Sequence, residues 1–208
     1  KLILMFLWAL NILGTIAFAV AGSLKGLKYK LDILGVIILG IITAVGGGIC
    51  RDVLINKIPV VFIEKETIFV AIITAFLTYT FGYHIKDFSK VIKIFDALGL
   101  AVFAVVGAQV AMDFSLNIVG VVFLSTITAT FGGMFRDILV NEIPFILKEE
   151  RYATFCIVGS IIYFYLDLYI PIDKLETSYI VLAFIFIGRL ISLKYDLHMP
   201  RKDHLQLK

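Results

Sequence analysis

The stretch "TATFGGMFRDILVNEIP", residues 128–144, places an arginine beside an aspartate in an otherwise apolar run. The same signature occurs earlier in the chain as "TAVGGGICRDVLINKIP", residues 43–59. A charged side chain that faces lipid at the centre of a membrane costs about 2.5–3.5 kcal/mol, so such residues are rare there and usually functional. If the chain crosses a membrane, the doubled Gly-Gly-x-x-Arg-Asp motif marks both its architecture and its functional site.

The composition predicts that the chain does cross a membrane. Its 208 residues are 61% hydrophobic and 17% charged, and the mean hydropathy is +1.01. A soluble domain cannot bury that much apolar surface. Because a spanning helix needs roughly 20 apolar residues, we expect one transmembrane domain over residues 1–208 with about seven spans. The formal charge of +3 is too small and too scattered to indicate a nucleic-acid partner.

The motif belongs to an internal repeat with a period of 85 residues, whose register holds without a gap over about 50 residues. Within the motif, the residues that match are Gly47, Gly48, Arg51, Asp52, Leu54, Asn56, Ile58 and Pro59 with Gly132, Gly133, Arg136, Asp137, Leu139, Asn141, Ile143 and Pro144. The N-terminal segment has features of a secretory signal peptide. Because the segment recurs in the second repeat, we expect it to be the first span instead.

The repeat predicts the topology. Seven spans are expected, at roughly 3–24, 33–58, 67–83, 94–112, 118–143, 152–170 and 177–195. The first three form one repeat, about 3–83, the next three form the second, about 94–170, and the last is an extra helix at about 177–195. With an odd number of spans in each repeat, the second repeat enters the membrane from the opposite side. The predicted fold is therefore an all-α membrane protein with two inverted three-helix repeats plus a seventh helix.

The basic residues predict the orientation. One side of the predicted topology carries Lys25, Lys28, Lys30, Lys86, Lys90, Lys93, Lys148, Arg151, Lys194, Arg201, Lys202 and Lys208. The other side carries only Lys1, Lys57, Lys65 and Lys174. By the positive-inside rule, the N-terminus is expected outside and the C-terminus in the cytoplasm.

We expect the second and fifth spans to be kinked or broken at their glycines. As one helix, residues 33–58 would extend about 39 Å, which exceeds the roughly 30 Å of the hydrocarbon core. The glycine runs near the middle of these spans are Gly46, Gly47 and Gly48, and Gly132 and Gly133. Glycines weaken a helix, and peptide groups released at a break need protein or water as partners inside a membrane. Pro59 and Pro144 would mark the end of each second half-helix.

The charged residues of the motif predict a transport pathway. Arg51-Asp52 and Arg136-Asp137 would lie one to two turns beyond the breaks, inside the apolar slab. Adjacent residues point about 100° apart on a helix, so a pseudo-twofold axis favours crossed pairs, Arg51 with Asp137 and Arg136 with Asp52. We favour a functional interpretation of these residues over a structural one, because the pair is both charged and duplicated.

Hydroxyl groups near the glycines have two interpretations. Thr43 and Thr128 lie one turn before Gly47 and Gly132, and Ser125 lies on the same fifth span. These hydroxyls either line a polar path or bond the carbonyls of their own helix while the glycines ease helix contact. For the threonines alone we favour the second interpretation.

The first and fourth spans carry a matching stripe of small and aromatic residues. Its members are Gly14, Phe18 and Gly22, and Gly99, Phe103 and Gly107. The 3-4-4 spacing keeps each set on one helix face, and the small residues predict close packing on the second and fifth spans. Asn11 and Asp96 are candidates to line the pathway, although Asp96, near the cytoplasmic end, is equally well explained as a solvated residue, and Gln109 is a weaker candidate. Arg189 is expected to reach the cytoplasmic surface.

Two three-span repeats, each with Gly-Gly-x-x-Arg-Asp on its middle span, and a seventh span together resemble the prokaryotic trimeric intracellular cation (TRIC) channels. The repeat unit of these channels is also called a glycine transporter domain. The resemblance covers nearly the whole chain. It implies a homotrimer in which each protomer encloses an hourglass-shaped pore for monovalent cations, lined by the broken second and fifth spans. The implied pore residues are Gly46, Gly47, Gly48, Arg51, Asp52, Gly132, Gly133, Arg136 and Asp137. The second motif departs from the first by placing Phe131 where the first has Gly46.

The predicted function is a K⁺- or Na⁺-permeable channel in a prokaryotic plasma membrane, in contact with membrane lipids. Carbonyls, hydroxyls such as that of Thr128, and the aspartates would replace the hydration shell of the ion. The main alternative is a secondary transporter of a small amino acid such as glycine, because broken helices in inverted repeats are also the usual carrier layout. A structural protein without transport is a third option. No motif indicates an enzyme, a cofactor or a metal site, and His84, His198 and His204 lack metal-ligand spacing.

Overall fold

The computed structural model describes the backbone of residues 2–148 and 151–195 and the side chains of residues 5–148 and 153–195. Lys1, the tail residues Arg201, Lys202 and Lys208, and the histidines His198 and His204 lie outside the described residues, as does the side chain of Arg151. The described helices are α1 Leu2–Lys28, α2 Ile33–Leu54, α3 Lys65–Phe81, α4 Phe88–Asp113, α5 Ile118–Leu139, α6 Phe145–Lys148, α7 Arg151–Tyr169 and α8 Lys174–Lys194. Short 3₁₀ turns lie at Val60–Phe62 and Gly82–His84.

The chain is an all-helical membrane protein over its described residues. Six helices (α1, α2, α3, α4, α5 and α8) are long and apolar enough to cross a membrane. The sixth predicted span corresponds to α7, whose apolar part, Ala153–Tyr169, is shorter than those of the others. The helix α6 has only four residues and turns the chain between α5 and α7.

The predicted breaks in the second and fifth spans are absent from this structure. Both α2 and α5 are continuous α-helices of 22 residues, and the glycines lie inside them. A helix of that length extends about 33 Å, which matches the hydrocarbon core without a break. The prediction of a break was wrong because it extended each helix to the proline, whereas the helices end at Leu54 and Leu139.

These two helices end early because the chain turns at an asparagine. Asn56 and Asn141 have φ values of 55° and 57°, in the left-handed region that asparagine tolerates better than most residues. The amide of Lys57 donates to the carbonyl of Asp52 (2.8 Å), and that of Glu142 donates to the carbonyl of Asp137 (2.9 Å). This is the Schellman arrangement, which satisfies carbonyls left open at a helix end.

The same turn geometry recurs at the ends of α1 and α4. Lys30 and Ser115, which are 85 positions apart, have φ values of 56° and 53°. Each turn leads to the N-cap of the next helix, where Asp32 accepts from Gly35 N (2.7 Å) and Asn117 accepts from Gly120 N (3.0 Å). Side-chain oxygens of Asp and Asn are preferred at this position, because they satisfy amides that have no partner within the helix.

The helices α1, α2, α4 and α5 form the centre of the bundle. The helix α3 packs on α1 and α2, while α7 packs on α4 and α5, and α8 packs on α4 and α7. At the crossing of α1 and α4, a Cβ on Gly14 would lie 3.0 Å from the Phe103 ring, and a Cβ on Gly99 would overlap the Phe18 ring. The two rings lie 5.2 Å apart. The stripe glycines therefore allow α1 and α4 to approach each other closely.

Two ends of the bundle differ in charge. At one, which we call the lysine-rich end, Lys28 Nζ at the end of α1 donates to Ser89 Oγ at the start of α4 (3.0 Å). At the other, which we call the opposite end, Lys174 at the start of α8 pairs with Asp113 at the end of α4 (3.2 Å). The two copies of the motif lie at different ends, because α2 and α5 run in opposite directions.

Candidate functional site

The two motif helices cross at their glycines. A Cβ on Gly47 would lie 2.0 Å from the carbonyl oxygen of Thr128, and a Cβ on Gly132 would lie 2.1 Å from the carbonyl oxygen of Thr43. These contacts are reciprocal under the 85-residue repeat, and their order shows that α2 and α5 run antiparallel. The glycines serve a close backbone contact here, and any larger residue at Gly47 or Gly132 would push the helices apart.

The hydroxyl groups near the crossing bond to backbone carbonyls. Thr43 Oγ1 donates to Leu39 O and Thr128 Oγ1 donates to Leu124 O, each at 2.6 Å. Both threonines are fully buried and pack against Gly22 of α1 and Gly107 of α4. The structure therefore places them in a helix contact, as the second of the two interpretations has it.

Ser125 is also buried, and its hydroxyl belongs to a network behind the crossing. Its Oγ donates to Ala104 O and accepts from Ser160 Oγ, each at 2.7 Å. Gly46 and Gly133 are buried as well, and a Cβ on Gly46 would lie 3.0 Å from the Phe135 ring. None of these described groups faces the cavity that lies beside the crossing.

That cavity opens beside α2 near the opposite end of the bundle. Its volume is about 220 Å³, and charged, polar and apolar residues of α1, α2, α3, α4 and the loop after α2 line it. Gly48 borders it with no atom within 4 Å of its ideal Cβ position. The polar lining residues are Asn11, Arg51, Asp52, Glu64 and Thr67. An open space with two carboxylates and one guanidinium therefore reaches the glycine crossing from this end.

Inside the cavity, Arg51 pairs with its neighbour Asp52. Arg51 Nε donates to Asp52 Oδ1 (2.8 Å), and Nη2 lies 2.7 Å from the same oxygen. Asn11 Nδ2 donates to Thr67 Oγ1 (3.4 Å) on the facing wall. The long side chain of Arg51 folds back to Asp52. Adjacent residues therefore do pair, although they point about 100° apart on the helix.

At the lysine-rich end, the second motif forms a buried charge cluster. Arg136 Nε donates to Asp137 Oδ1 (2.9 Å), and Nη1 donates to Asp96 Oδ1 (2.6 Å). Lys25 Nζ lies 3.3 Å from Asp137 Oδ1. All four residues are at most 2% exposed. Two cations and two carboxylates are thus held together away from solvent, which is tolerable because each charge is paired.

The crossed pairs predicted from the sequence are wrong. Arg51 pairs with Asp52 and Arg136 with Asp137 and Asp96, because the antiparallel packing of α2 and α5 moves the two motifs to opposite ends. The two arginine–aspartate pairs therefore lie at different ends of the bundle and do not contact each other. Asp96 is buried in a pair rather than solvated.

Each motif aspartate also fixes the chain that follows its helix. Asp52 Oδ2 accepts from the amide of Val60 (2.9 Å), and Asp137 Oδ2 accepts from the amide of Phe145 (3.1 Å). Val60 and Phe145 follow the prolines of the two motifs and are 85 positions apart. The Arg-Asp-x-Leu-x-Asn-x-Ile-Pro sequence therefore has a structural role as a helix end with a braced return loop, in addition to any role in transport.

A layer of contacts covers the charge cluster at the lysine-rich end. Glu142 Oε2 accepts from Lys25 Nζ (3.0 Å), and Glu142 Oε1 accepts a hydrogen bond from Tyr29 Oη. The ring of Phe145 lies 4.9 Å from Lys25 Nζ and 5.2 Å from the guanidinium carbon of Arg136, within the range of cation–π attraction. The hydrogen bond to Glu142 raises the pKa of Tyr29 to about 12. Burial alone would raise the pKa of Glu142, but the hydrogen bonds from Tyr29 and Lys25 outweigh it and lower that pKa.

Side chains that differ between the two repeats account for the open cavity at one end of the bundle and the covered charge cluster at the other. The cavity is lined by Asn11, Val60 and Val110, and the residues 85 positions later or earlier in the other half are Asp96, Phe145 and Lys25. A neutral amide and two small apolar side chains thus stand where the covered end has a carboxylate, an aromatic ring and a cation. The two halves have the same backbone plan but different side chains at these three positions.

Two further polar residues lie away from the cavity. The amide of Gln109 accepts from Tyr163 Oη and donates to Asp113 Oδ1 (3.2 Å), which places it between α4 and α7. Arg189, which was expected to reach the surface, is 2% exposed. Sequence reasoning missed Lys25, Glu64 and Glu142 as site residues, because each lies at a helix end or in a loop and was counted as a solvated charge.

Comparison with known proteins identifies related chains. The family model described as "Glycine transporter" matches residues 8–84 and 93–167, one match in each repeat. The UPF0126 inner membrane protein YadS of Escherichia coli K12 is 34% identical over 200 residues, which are 94% of this chain and 96% of YadS.

Solved structures show the same fold. The crystal structure of a prokaryotic TRIC channel in 0.5 M KCl matches with a TM-score of 0.88 and 35% identity, covering 94% of this chain and 99% of that one. The TRIC trimeric intracellular cation channel orthologue from Rhodobacter sphaeroides matches with a TM-score of 0.88 and 30% identity, covering 92% of this chain and 99% of that one.

Proposed function

Because this chain belongs to the family of the prokaryotic TRIC channels and glycine transporter repeats, we propose that it conducts monovalent cations, K⁺ or Na⁺, through a pore inside each protomer. The two halves are inverted repeats about an axis near the glycine crossing. The protein assembles as a homotrimer in a prokaryotic plasma membrane. Its lysine-rich end faces the cytoplasm by the positive-inside rule, so the N-terminus is outside.

The observation that carries the proposal is the open cavity at one side of the glycine crossing. A cation that enters from the opposite end meets the carboxylates of Asp52 and Glu64, whose charge favours cations in a space of low dielectric constant. Arg51 holds Asp52 in place and moderates this attraction. The pore residues in this conformation are therefore Gly48, Arg51 and Asp52.

Beyond the crossing, the path is closed. Arg136 and Asp137 are fully buried, and Lys25, Phe145 and Glu142 lie over them. These contacts support a closed conformation in which the cavity forms the open half of the path. In the open conformation, Arg136 and Asp137 line the second half. Thr43, Gly46, Gly47, Ser125, Thr128, Gly132 and Gly133 form the packed wall behind it.

Transport of a small amino acid is the second candidate. The cavity supports it, because one guanidinium and two carboxylates in about 220 Å³ match the two charges of a zwitterion such as glycine, and the matching family model is described as a glycine transporter. A carrier would need the closed end to open while the cavity closes.

Purified protein in a planar bilayer separates these functions. With a K⁺ gradient across the bilayer, a cation channel gives unitary currents whose reversal potential lies near the K⁺ equilibrium potential. Asp52→Asn would reduce the conductance, and Glu176→Gln, a matched loss of one negative charge at the same end of the bundle but outside the cavity lining, would leave it unchanged. Saturable uptake of glycine into proteoliposomes without unitary currents would contradict the channel and support the carrier.

A further inference from the structure

A second large space lies at the lysine-rich end, on the outside of the bundle between α4 and α8. Its volume is about 580 Å³, and its wall includes Lys90, Lys93 and Lys194 above Ile94, Leu190 and Leu193. We call this space the α4–α8 groove. It shares no lining residue with the cavity beside the crossing, which lies near the opposite end of α4, and the proposed transport path uses neither Lys90 nor Lys194.

The groove has two chemically distinct parts. Among the described residues that line the groove, three are lysines and one, Asp87, is acidic. The carboxylate of Asp87 already accepts from the amide of Lys90 (3.0 Å) as the N-cap of α4. The apolar part continues along helices that cross the membrane. A ligand that fits must therefore carry negative charge at one end and hydrocarbon at the other.

We propose that the α4–α8 groove binds an anionic phospholipid from the leaflet at the lysine-rich end. Its phosphate lies among Lys90, Lys93 and Lys194, and the start of an acyl chain lies along Ile94, Leu190 and Leu193. Ammonium groups at a membrane surface attract anionic headgroups, each by about 1 kcal/mol. The groove volume of about 580 Å³ suits a headgroup with the first carbons of its chains.

Native mass spectrometry of the full chain in detergent, titrated with phosphatidylglycerol and with phosphatidylcholine of the same chains, tests this proposal. The test variant is Lys90→Gln with Lys194→Gln, which leaves Lys93 intact because Lys93 also lines a smaller cavity beside Lys25 and Glu142. We expect phosphatidylglycerol to bind more tightly than phosphatidylcholine. The double variant should weaken phosphatidylglycerol binding by roughly 10- to 30-fold.

The control removes two lysines from the same end outside the groove, Lys30→Gln with Lys86→Gln, and should leave binding unchanged. Lys90→Arg with Lys194→Arg should retain it, which shows that loss in the glutamine variant is not misfolding. Equal losses in the groove and control variants would overturn the proposal, because the lysines would then act as a general surface charge. An absence of preference between the two lipids would overturn it as well.

A third arm separates a lipid site from a site for a soluble phosphate. Glycerol phosphate, which has the charge but no chain, should fail to displace phosphatidylglycerol at equal concentration. If glycerol phosphate competes equally, the ligand is a soluble phosphate compound and the lipid proposal is wrong. None of these outcomes depends on ion conduction, so failure here and failure of the channel are distinguishable.

Discussion

At the residue scale, the two Arg-Asp pairs are chemically alike but differ in their surroundings. Asp52 borders a cavity and has one cation as its partner. Asp137 is fully buried and contacts two cations, Arg136 and Lys25, as well as the amide of Phe145. Both aspartates are buried, and removal of a buried charge leaves its partners unpaired, so the cost depends on how many cations lose a partner.

Asp137→Asn is therefore expected to destabilise the protein more than Asp52→Asn. Loss of the buried carboxylate leaves Lys25 and Arg136 undercompensated, which should lower the free energy of unfolding by about 3–5 kcal/mol. Asp52 is also buried but has one cationic partner, so Asp52→Asn loses a single charge-assisted contact at the cavity wall and should cost about 1.5–3 kcal/mol. Thermal unfolding in detergent measures both, and equal losses would contradict the two-cation environment that the structure gives to Asp137.

The hydrogen bond between Tyr29 and Glu142 predicts a tyrosine that ionises late. The carboxylate of Glu142 raises the pKa of Tyr29 to about 12. Because the folded-state pKa lies above the unfolded value, the contact stabilises the fold below about pH 10. That stabilisation is lost as pH rises through about 12.

A spectrophotometric titration of tyrosinate checks this value. The difference between the wild type and Tyr29→Phe should titrate with a midpoint near 12. In the Glu142→Gln variant, the midpoint of the Tyr29 titration should move to lower pH, because the carboxylate that opposes ionisation of the phenol is gone. Tyr83→Phe, at the same end of the bundle, is the control. A Tyr29 midpoint near 10, the ordinary value of the side chain, would show that the contact does not persist in solution.

At the element scale, the glycines of α2 and α5 set the distance between two helices and do not interrupt them. Gly47 and Gly132 each face a carbonyl of the other helix, whereas Gly48 faces open space. Adjacent glycines of one run therefore have different roles, and the consequences of adding a methyl group should differ accordingly.

Gly47→Ala and Gly132→Ala should each lower the free energy of unfolding by about 1–3 kcal/mol, because the added Cβ overlaps a backbone carbonyl and forces the helices apart. Gly48→Ala should be neutral or stabilising by up to about 1 kcal/mol, since alanine favours the helix and nothing opposes the methyl group. Thermal unfolding of the three variants measures this. A loss at Gly48 equal to that at Gly47 would contradict the crossing geometry.

Helix positions could be predicted from the sequence because apolar length and repeat register define them directly. The early ends of α2 and α5 could not, because the left-handed turn at Asn56 and Asn141 is a local backbone choice that hydropathy does not report. The length of the second span then appeared excessive, and a helix break was inferred to account for it. The left-handed turns at Lys30 and Ser115 lie at equivalent positions of the two repeats but use different residue types. Their similarity is therefore seen in the backbone angles and not in the sequence.

At the scale of the whole molecule, similar halves give a bundle with different ends. The doubled motif predicted that charges lie inside the bundle, but sequence separation cannot report which charges meet. Arg136 finds Asp96 and Asp137 finds Lys25 only after α1, α4 and α5 have packed. The open cavity depends on Val110 and Val60, which carry no chemical signal of their own.

Lys25→Val tests whether the lysine at this position keeps the lysine-rich end of the bundle closed. The change gives the lysine-rich end the residue that its repeat counterpart has, Val110, and removes the cation that joins Asp137 to Glu142. In the proposed channel, the open probability in a planar bilayer should rise by roughly tenfold, equivalent to about 1.4 kcal/mol. Lys28→Val, one turn further along α1, is the control. An unchanged open probability would show that Lys25 does not stabilise the closed end.

In the proposed channel, ions cross each protomer through the cavity beside Gly48, and chemical modification of the Gly48→Cys variant in a planar bilayer tests this path. A cationic methanethiosulfonate reagent added at the opposite end should block K⁺ currents of this variant. It should spare the wild type, whose native Cys50 and Cys156 serve as the control. Currents that persist after mass spectrometry shows complete modification of the new thiol would contradict the claim.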